Sequence, residues 1–440
     1  MKAQERYFWP LLVLLIIPAF AWGIFCSEPR LNATNLIFND GIDQQLIVAG
    51  LERTHTFADT LKWWTGPWID GWECAFYRPI TSYIWWFQWE IFGASRESQN
   101  AMVSFMAVHW LSHFAVCLLA GGFLRRLFGA RIAILTVVIW AGCFLNALKL
   151  PVPMWALPAW KDSPDFWVAG AIICSLWALL SNIRTGEKRF LLWVFTAQII
   201  GIGFKESVYV LPFMAAVLLW YESALHKWRI VAAMVGLTVA AYVFRFWALQ
   251  GPGFRFGTNG SWFERFLLYV GGGKPVYLWS QGDLAPLAVG VLIVGIGMII
   301  RGKRETGFGV VVFSGIGILV ADAVRGEIGL TAIRLLQPFL ATYWKTGLEM
   351  IQTSTIAAIT IMSLSWTLKR PDRRMLCAFG WVFAAYLPML TAPITEHALY
   401  LASMGSALWW CILLVELLDK ALVKVRESKF YPPRLAAKLS

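Results

Sequence analysis

A short stretch between two apolar runs carries the most unusual charges in this sequence, Lys205 and Glu206. Apolar residues surround both side chains, so each charge is costly unless something neutralises it. One interpretation is structural, in which the lysine and the glutamate simply neutralise each other. The other is that Lys205 holds an anionic headgroup and Glu206 orients the lysine.

A second candidate cation lies in the triplet Tyr77-Arg78-Pro79. Proline fits the first turn of a helix, so the triplet predicts a helix that begins at Pro79 with Arg78 as its cap. The planar guanidinium of arginine matches a phosphate better than an ammonium does. Arg78 is therefore a candidate hydrogen-bond donor to a phosphate. The structural alternative is an ordinary arginine at the membrane interface.

Two acids near the start of the chain, Asp40 and Asp43, lie one helical turn apart. One of them could act as a general base that takes a proton from an acceptor hydroxyl. The structural alternative is that Asp40 caps a short helix beginning near Gly41. Both acids belong to a polar, tryptophan-rich insert of residues 36–79.

The last candidates are Glu396, His397 and Tyr400, which would share one face of a helix. Here the structural alternative is a helix start whose acid complements the helix dipole.

The elements that must position these residues are apolar. Of the 440 residues, 58% are hydrophobic and 15% charged, and the mean hydropathy is +0.61. A soluble domain has roughly 25% charged residues. Apolar runs of roughly 20 residues, the length of a membrane-crossing helix, recur from end to end. The sequence therefore predicts an all-α polytopic membrane protein.

We predict about twelve transmembrane helices, at 8–26, 101–123, 132–149, 166–183, 190–204, 207–222, 229–249, 284–300, 307–324, 348–368, 375–391 and 398–418. The alternate loops that contain Arg125, Arg184, Lys227, Arg301 and Arg370 are short and basic. The positive-inside rule then puts both termini in the cytoplasm and the acidic loops outside. The same rule accounts for the net charge of +12, so we predict no nucleic-acid partner.

The predicted organisation follows from these spans. It comprises a first transmembrane helix (1–26), a long outer loop with interfacial helices and the candidate acids (27–100), helices 2–7 (101–249), an outer loop (250–283), helices 8–12 (284–420) and a basic cytoplasmic tail (421–440). Residues 80–92 are aromatic but interrupted, which favours a helix in the membrane interface. Cys26 directly precedes this loop and Cys74 lies within it, and the two could pair if that side is oxidising.

The ordered set of these stretches resembles the GT-C superfamily of membrane glycosyltransferases. The greatest similarity is to the membrane part of the transmembrane-and-TPR O-mannosyltransferases and their bacterial relatives. The matching residues are Phe38-Asn39-Asp40, Tyr77-Arg78-Pro79-Ile80, Phe92-Gly93, His109 and His113, Lys205-Glu206 with Leu211-Pro212, and Glu396-His397-Ala398-Leu399-Tyr400-Leu401-Ala402-Ser403-Met404-Gly405. In this family an acid is expected in place of Asn39 and an arginine in place of His397, and the chain has no TPR extension.

The resemblance implies a GT-C-like fold that transfers a sugar from a polyprenyl-phosphate donor to an acceptor hydroxyl, with inversion. Lys205 and Arg78, helped by His397, would bind the donor phosphate, and Asp40, with Asp43 as substitute, would be the base. Glu206, Glu396 and Tyr400 would support them. The resemblance implies no cofactor and no tightly held metal. The expected partners are the lipid-linked donor, membrane lipids, an unspecified acceptor and other membrane subunits.

Two other functions fit the sequence. Asn39 favours a catalytically silent GT-C-fold subunit of a larger membrane complex, and twelve spans with both ends inside also suit a secondary transporter. Transporter folds, however, show internal repeats, and the two halves of this chain do not resemble each other. The topology fits a bacterial inner membrane or an endoplasmic reticulum, and we favour the former.

Overall fold

A computed structural model describes residues 7–18, 42–67, 76–92, 99–143, 163–251, 372–387 and 400–427. Within these ranges the chain is helical, with turns between the helices and no strand. Three predicted spans, 284–300, 307–324 and 348–368, lie outside the described residues. So do Cys26, Cys74 and the candidate site residues Asp40, Glu396 and His397.

The α-helices of the described ranges follow the apolar runs. They are α1 (Phe8–Pro18), α2 (Ile42–Glu52), α3 (Pro79–Ile91), α4 (Gln99–Phe128), α5 (Ala130–Val138), α6 (Ser163–Thr185), α7 (Arg189–Phe204), α8 (Leu211–Tyr221), α9 (Trp228–Ala248), α10 (Arg373–Tyr386) and α11 (Tyr400–Glu427). A π-helical turn, Ile139–Cys143, extends α5, and 3-10 turns occur at Ala58–Trp64, Glu206–Val210 and Leu225–Lys227.

Four helices are long and apolar enough to cross a membrane: Phe105–Phe128, Pro164–Thr185, Leu225–Ala248 and Tyr400–Lys420. Four shorter apolar helices accompany them: Phe8–Pro18, Ala130–Ala141, Arg189–Phe204 and Glu206–Tyr221. These lengths and compositions fit an integral membrane protein, as the composition predicts. Nine of the twelve predicted spans overlap one of the described helices.

Helix α6 lies at the centre of the described bundle, and one side of it packs closely along α7. The turn between them begins at Gly186, whose φ of +74° favours glycine, because other residues are strained in the left-handed region. The Gly186 amide donates to the Asn182 carbonyl at 2.9 Å and so closes the end of α6. The core around α6 is completed by apolar side chains of α1, α4, α5, α8, α10 and α11.

Basic residues from several predicted inner loops meet at one end of this bundle. Arg184 forms a two-point ion pair with Glu222 and donates to the backbone carbonyl of Arg126 at 2.8 Å. Arg373 donates to the Trp220 carbonyl at 2.6 Å. The described loops around Arg126, Arg184, Glu222 and Arg373, which the charge pattern assigns to the cytoplasmic face, therefore lie together.

The segment between α1 and α4 forms a small second core. Ile47, Val48 and Leu51 of α2 pack with Trp85 and Trp89 of α3. The helix predicted from Tyr77-Arg78-Pro79 is confirmed, because α3 begins with Pro79 at its first turn and Arg78 at its N-cap. The short helix predicted near Gly41 is present as α2, which begins at Ile42.

A reciprocal cap fixes the 3-10 turn of this segment. The Asp59 carboxylate accepts from the Thr56 amide and the Thr56 hydroxyl, each at 2.9 Å, while the Thr56 hydroxyl accepts from the Asp59 amide. This reciprocal pattern resembles a capping box, with Thr56 one residue before the N-cap Phe57. The hydrogen bond from the Thr56 side chain is the main reason why the pKa of Asp59 is lowered.

Candidate functional site

Lys205 and Glu206 occupy the break between α7 and the 3-10 turn that leads into α8. Lys205 has an extended backbone, with φ −164° and ψ 151°. Successive side chains of an extended chain point to opposite sides, so the lysine and the glutamate diverge. Lys205 pairs with Asp165 and Glu206 pairs with Arg78, rather than with each other.

Asp165 is the partner of Lys205. The Lys205 Nζ donates to both carboxylate oxygens of Asp165, at 2.6 and 2.7 Å. Asp165 lies in the first turn of α6, so the pair joins the beginning of α6 to the end of α7.

Glu206 lies between two arginines. Its Oε2 accepts from Arg78 Nη2 at 2.9 Å and from Arg78 Nε at 3.2 Å. Its Oε1 lies 3.6 Å from Arg245 Nη2 near the end of α9. The carboxylate thus joins the start of α3 to the end of α9. We call Arg78, Asp165, Lys205, Glu206 and Arg245 the ion cluster.

A close approach of helices α3 and α7 brings Arg78 to this cluster. The Thr81 hydroxyl donates to the Phe204 carbonyl at 2.8 Å. A Cβ at Gly203 would lie 2.5 Å from two side-chain carbons of Ile80, well inside van der Waals contact. Glycine at this position therefore permits the approach that lets Arg78 reach Glu206.

Four of the five members of the ion cluster are buried, and the Glu206 side chain is 19% exposed. Arg245 is 1% exposed, Asp165 5%, and Arg78 and Lys205 8% each. Buried charges are tolerated when they are paired and hydrogen-bonded, which explains why acids accompany these cations. An ammonium has three N–H groups, so Lys205 can serve the two oxygens of Asp165 and one further acceptor, such as a phosphate oxygen.

Sequence reasoning singled out neither Asp165 nor Arg245 as a site residue. The sequence could have indicated Arg245, because it is an arginine within an otherwise apolar run, where charges are rare and commonly functional. Asp165 follows Ser163-Pro164, which is typical of an ordinary helix start. Its partner lies 40 residues away, and no local pattern indicates that pairing.

Tyr400 is buried in the bundle core beside Phe166, the residue that follows Asp165. Its hydroxyl lies 2.6 Å from Nδ1 of His113, and Phe166 packs against both rings, with centroid distances of 4.6 and 5.2 Å. Trp140 donates to the Ser403 hydroxyl at 3.1 Å and to the Tyr400 carbonyl at 3.3 Å. The His-bearing second span and Tyr400–Ser403 are therefore in contact. Both belong to the stretches that resemble the GT-C superfamily.

Tyr77 supports the ion cluster from the side of the outer segment. Its hydroxyl donates to the Trp64 carbonyl at 3.1 Å, and its ring meets Phe244 of α9 edge-on, with centroids 5.7 Å apart. Burial raises the pKa of Tyr77 to about 12. Tyr77 therefore stays neutral and acts as a packing residue beside the cluster.

The predicted site residues thus fall into three groups. Arg78, Lys205 and Glu206 come together, and Tyr400 contacts His113 and Phe166, the neighbour of Asp165. Asp43 belongs to α2, and the structure describes its backbone but not its side chain. Asp40, Glu396 and His397 lie outside the described residues. In the described part of the chain, no three His, Cys, Asp or Glu side chains gather as a metal site would require.

No protein-family model matches the chain, and neither a curated protein nor a solved structure matches it.

Proposed function

We propose that the protein is a membrane glycosyltransferase of the GT-C type. It would move a sugar from a polyprenyl-phosphate donor to an acceptor hydroxyl on the outer face of a bacterial inner membrane, with inversion. The proposal includes about twelve membrane spans with both termini in the cytoplasm.

The observation that carries the proposal is the meeting of Arg78 with Glu206. The two residues are 128 positions apart and belong to two separate stretches of the GT-C resemblance, Tyr77-Arg78-Pro79 and Lys205-Glu206. Arg78 donates two hydrogen bonds to Glu206, beside the Lys205–Asp165 pair. Cations fixed in a site with little water favour the charge that develops on a leaving phosphate.

The roles follow from this arrangement and from the resemblance. Lys205 and Arg78, with His397, bind the donor phosphate, and Glu206 holds Arg78 in position. Asp40, with Asp43 as substitute, takes the proton of the acceptor hydroxyl. Glu396 and Tyr400 support the site. In this scheme the leaving group is a polyprenyl phosphate, and the phosphate negative charge stays with the lipid.

The test is release of polyprenyl phosphate by purified protein from a panel of radiolabelled polyprenyl-phosphate sugars. Wild type is compared with Asp40→Asn, and Asp59→Asn is the matched control, an exposed acid of the same outer segment. We expect wild type and Asp59→Asn to release the lipid and Asp40→Asn to lose at least about 100-fold in rate.

The other outcomes are equally specific. Release by Asp40→Asn at the wild-type rate would move the base to Asp43 or another outer acid. If no donor turns over while folded protein still binds the lipid, the silent subunit that Asn39 favours replaces the enzyme. Solute flux without any donor would replace both with a transporter.

A further inference from the structure

Asp165 has no role in the proposed mechanism. The geometry of its pair with Lys205 points to one. Both oxygens of Asp165 contact one ammonium, at 2.6 and 2.7 Å. We propose that Asp165 is a positioning residue that holds Lys205 Nζ in place for the donor phosphate. This inference rests on the proposed function, because it names the group that prepares the phosphate site.

The backbone of Asp165 is well fixed. The residues that follow it on α6, Phe166, Val168 and Ala169, are at most 2% exposed. A lysine side chain, in contrast, is long and flexible, and Lys205 lies at a break between helices. The contact with a rigid helix start therefore removes side-chain freedom from Lys205 before a ligand arrives, which lowers the entropic cost of binding.

Asp165 acts through Lys205 and does not contact the phosphate itself. A carboxylate next to a phosphate is repulsive, so the acid helps binding only by orienting the cation. It also keeps the lysine stable at a site with little water while the donor is absent, because a buried unpaired charge is strongly destabilising. The third N–H of the ammonium then points away from Asp165 and serves the phosphate.

The experiment measures the dissociation constant of radiolabelled undecaprenyl phosphate for the purified full chain in detergent, with neutral undecaprenol as the headgroup control. The variants are Asp165→Asn, Lys205→Gln and both together. We expect each single change to raise the dissociation constant for the phosphate about tenfold or more, and to leave undecaprenol binding unchanged. Because Asp165 acts through Lys205, the double variant should bind no more weakly than Lys205→Gln alone.

Two variants separate positioning from misfolding. The double variant replaces both charges with amides and leaves no buried charge unpaired, so its melting temperature should stay near that of wild type. Asp165→Glu keeps the carboxylate and should keep most of the phosphate affinity. Arg131→Gln, which breaks an exposed pair with Asp419 at the opposite end of the bundle, is the matched control and should bind as wild type does.

The results that would overturn the inference are distinct from failure of the proposed function. Asp165→Asn with wild-type affinity, a double variant weaker than Lys205→Gln, or wild type with equal affinity for undecaprenol and its phosphate would each exclude the positioning role. If wild type binds the phosphate but transfers no sugar, the glycosyltransferase proposal fails. The same affinities would then still decide the role of Asp165.

Discussion

At the scale of single residues, Glu206 is the centre of the ion cluster, because it neutralises two arginines on different helices. Arg245 is fully buried and Arg78 nearly so. Removing the acid would take away the carboxylate that both guanidinium groups share. The cost of such a change is set by the charges left behind rather than by the hydrogen bonds lost.

We therefore expect Glu206→Gln to lower the free energy of unfolding by about 3–5 kcal/mol. Thermal unfolding of the detergent-solubilised protein measures the effect. Asp419→Asn, which removes a largely exposed acid paired with Arg131, is the control, and its effect should stay below about 1 kcal/mol. Equal effects of the two changes would contradict the central role of Glu206.

At the scale of helices, the contact of α3 with α7 brings Arg78 within reach of Glu206. The contact is narrow, because Gly203 lies directly against Ile80. Even one added methyl group must push the two helices apart or force Ile80 into another conformation.

We expect Gly203→Ala to destabilise the protein by about 1–3 kcal/mol and to weaken the proposed sugar transfer, because Arg78 caps α3. Thermal unfolding and donor turnover measure the two effects. Shortening the neighbour in Gly203→Ala/Ile80→Ala should restore part of both.

The matched control is Gly236→Ala on α9, where an added Cβ meets nothing within 4 Å. In a helix interior alanine is favoured over glycine, so this variant should be as stable as wild type or slightly more so. Loss of stability at Gly236 equal to that at Gly203 would exclude a specific contact between α3 and α7.

The helices themselves could be predicted from the sequence, and their contacts could not. α7 and α9 begin and end within one residue of their predicted bounds, because each follows an apolar run that begins at a basic turn. The partners of Lys205 and Glu206 depend on one extended residue between two helices. That conformation redirects adjacent side chains to opposite sides, and it has no signature in residue types.

At the scale of the whole molecule, the described bundle has two different ends. Arg184, Glu222 and Arg373 lie at one end, while the predicted loop order places the ion cluster at the other. Charge counts along the sequence predicted this division, because each short basic loop could be assigned to one face. Which end faces the cytoplasm stays a prediction.

Labelling of single cysteines in intact cells tests that orientation. In a variant without native cysteines, we expect His55→Cys in the outer segment to react with a membrane-impermeant maleimide. Glu187→Cys, in the turn between α6 and α7, should react only after the cells are permeabilised. Both native residues are exposed, so burial does not confound the comparison. The reverse pattern would move the ion cluster to the cytoplasmic face.

The length of α7 has a consequence for the lipid around the protein. Its 16 residues rise about 24 Å, whereas the hydrocarbon of a bilayer is about 30 Å thick. A hairpin of α7 with the equally short Glu206–Tyr221 segment does not reach the far headgroups of an undeformed bilayer. Local thinning of the bilayer is one way in which a short hydrophobic helix is accommodated, and we expect it beside the end of α7 that carries Lys205. The headgroup of the proposed lipid-linked donor would then lie closer to Lys205 than it would in an undeformed bilayer.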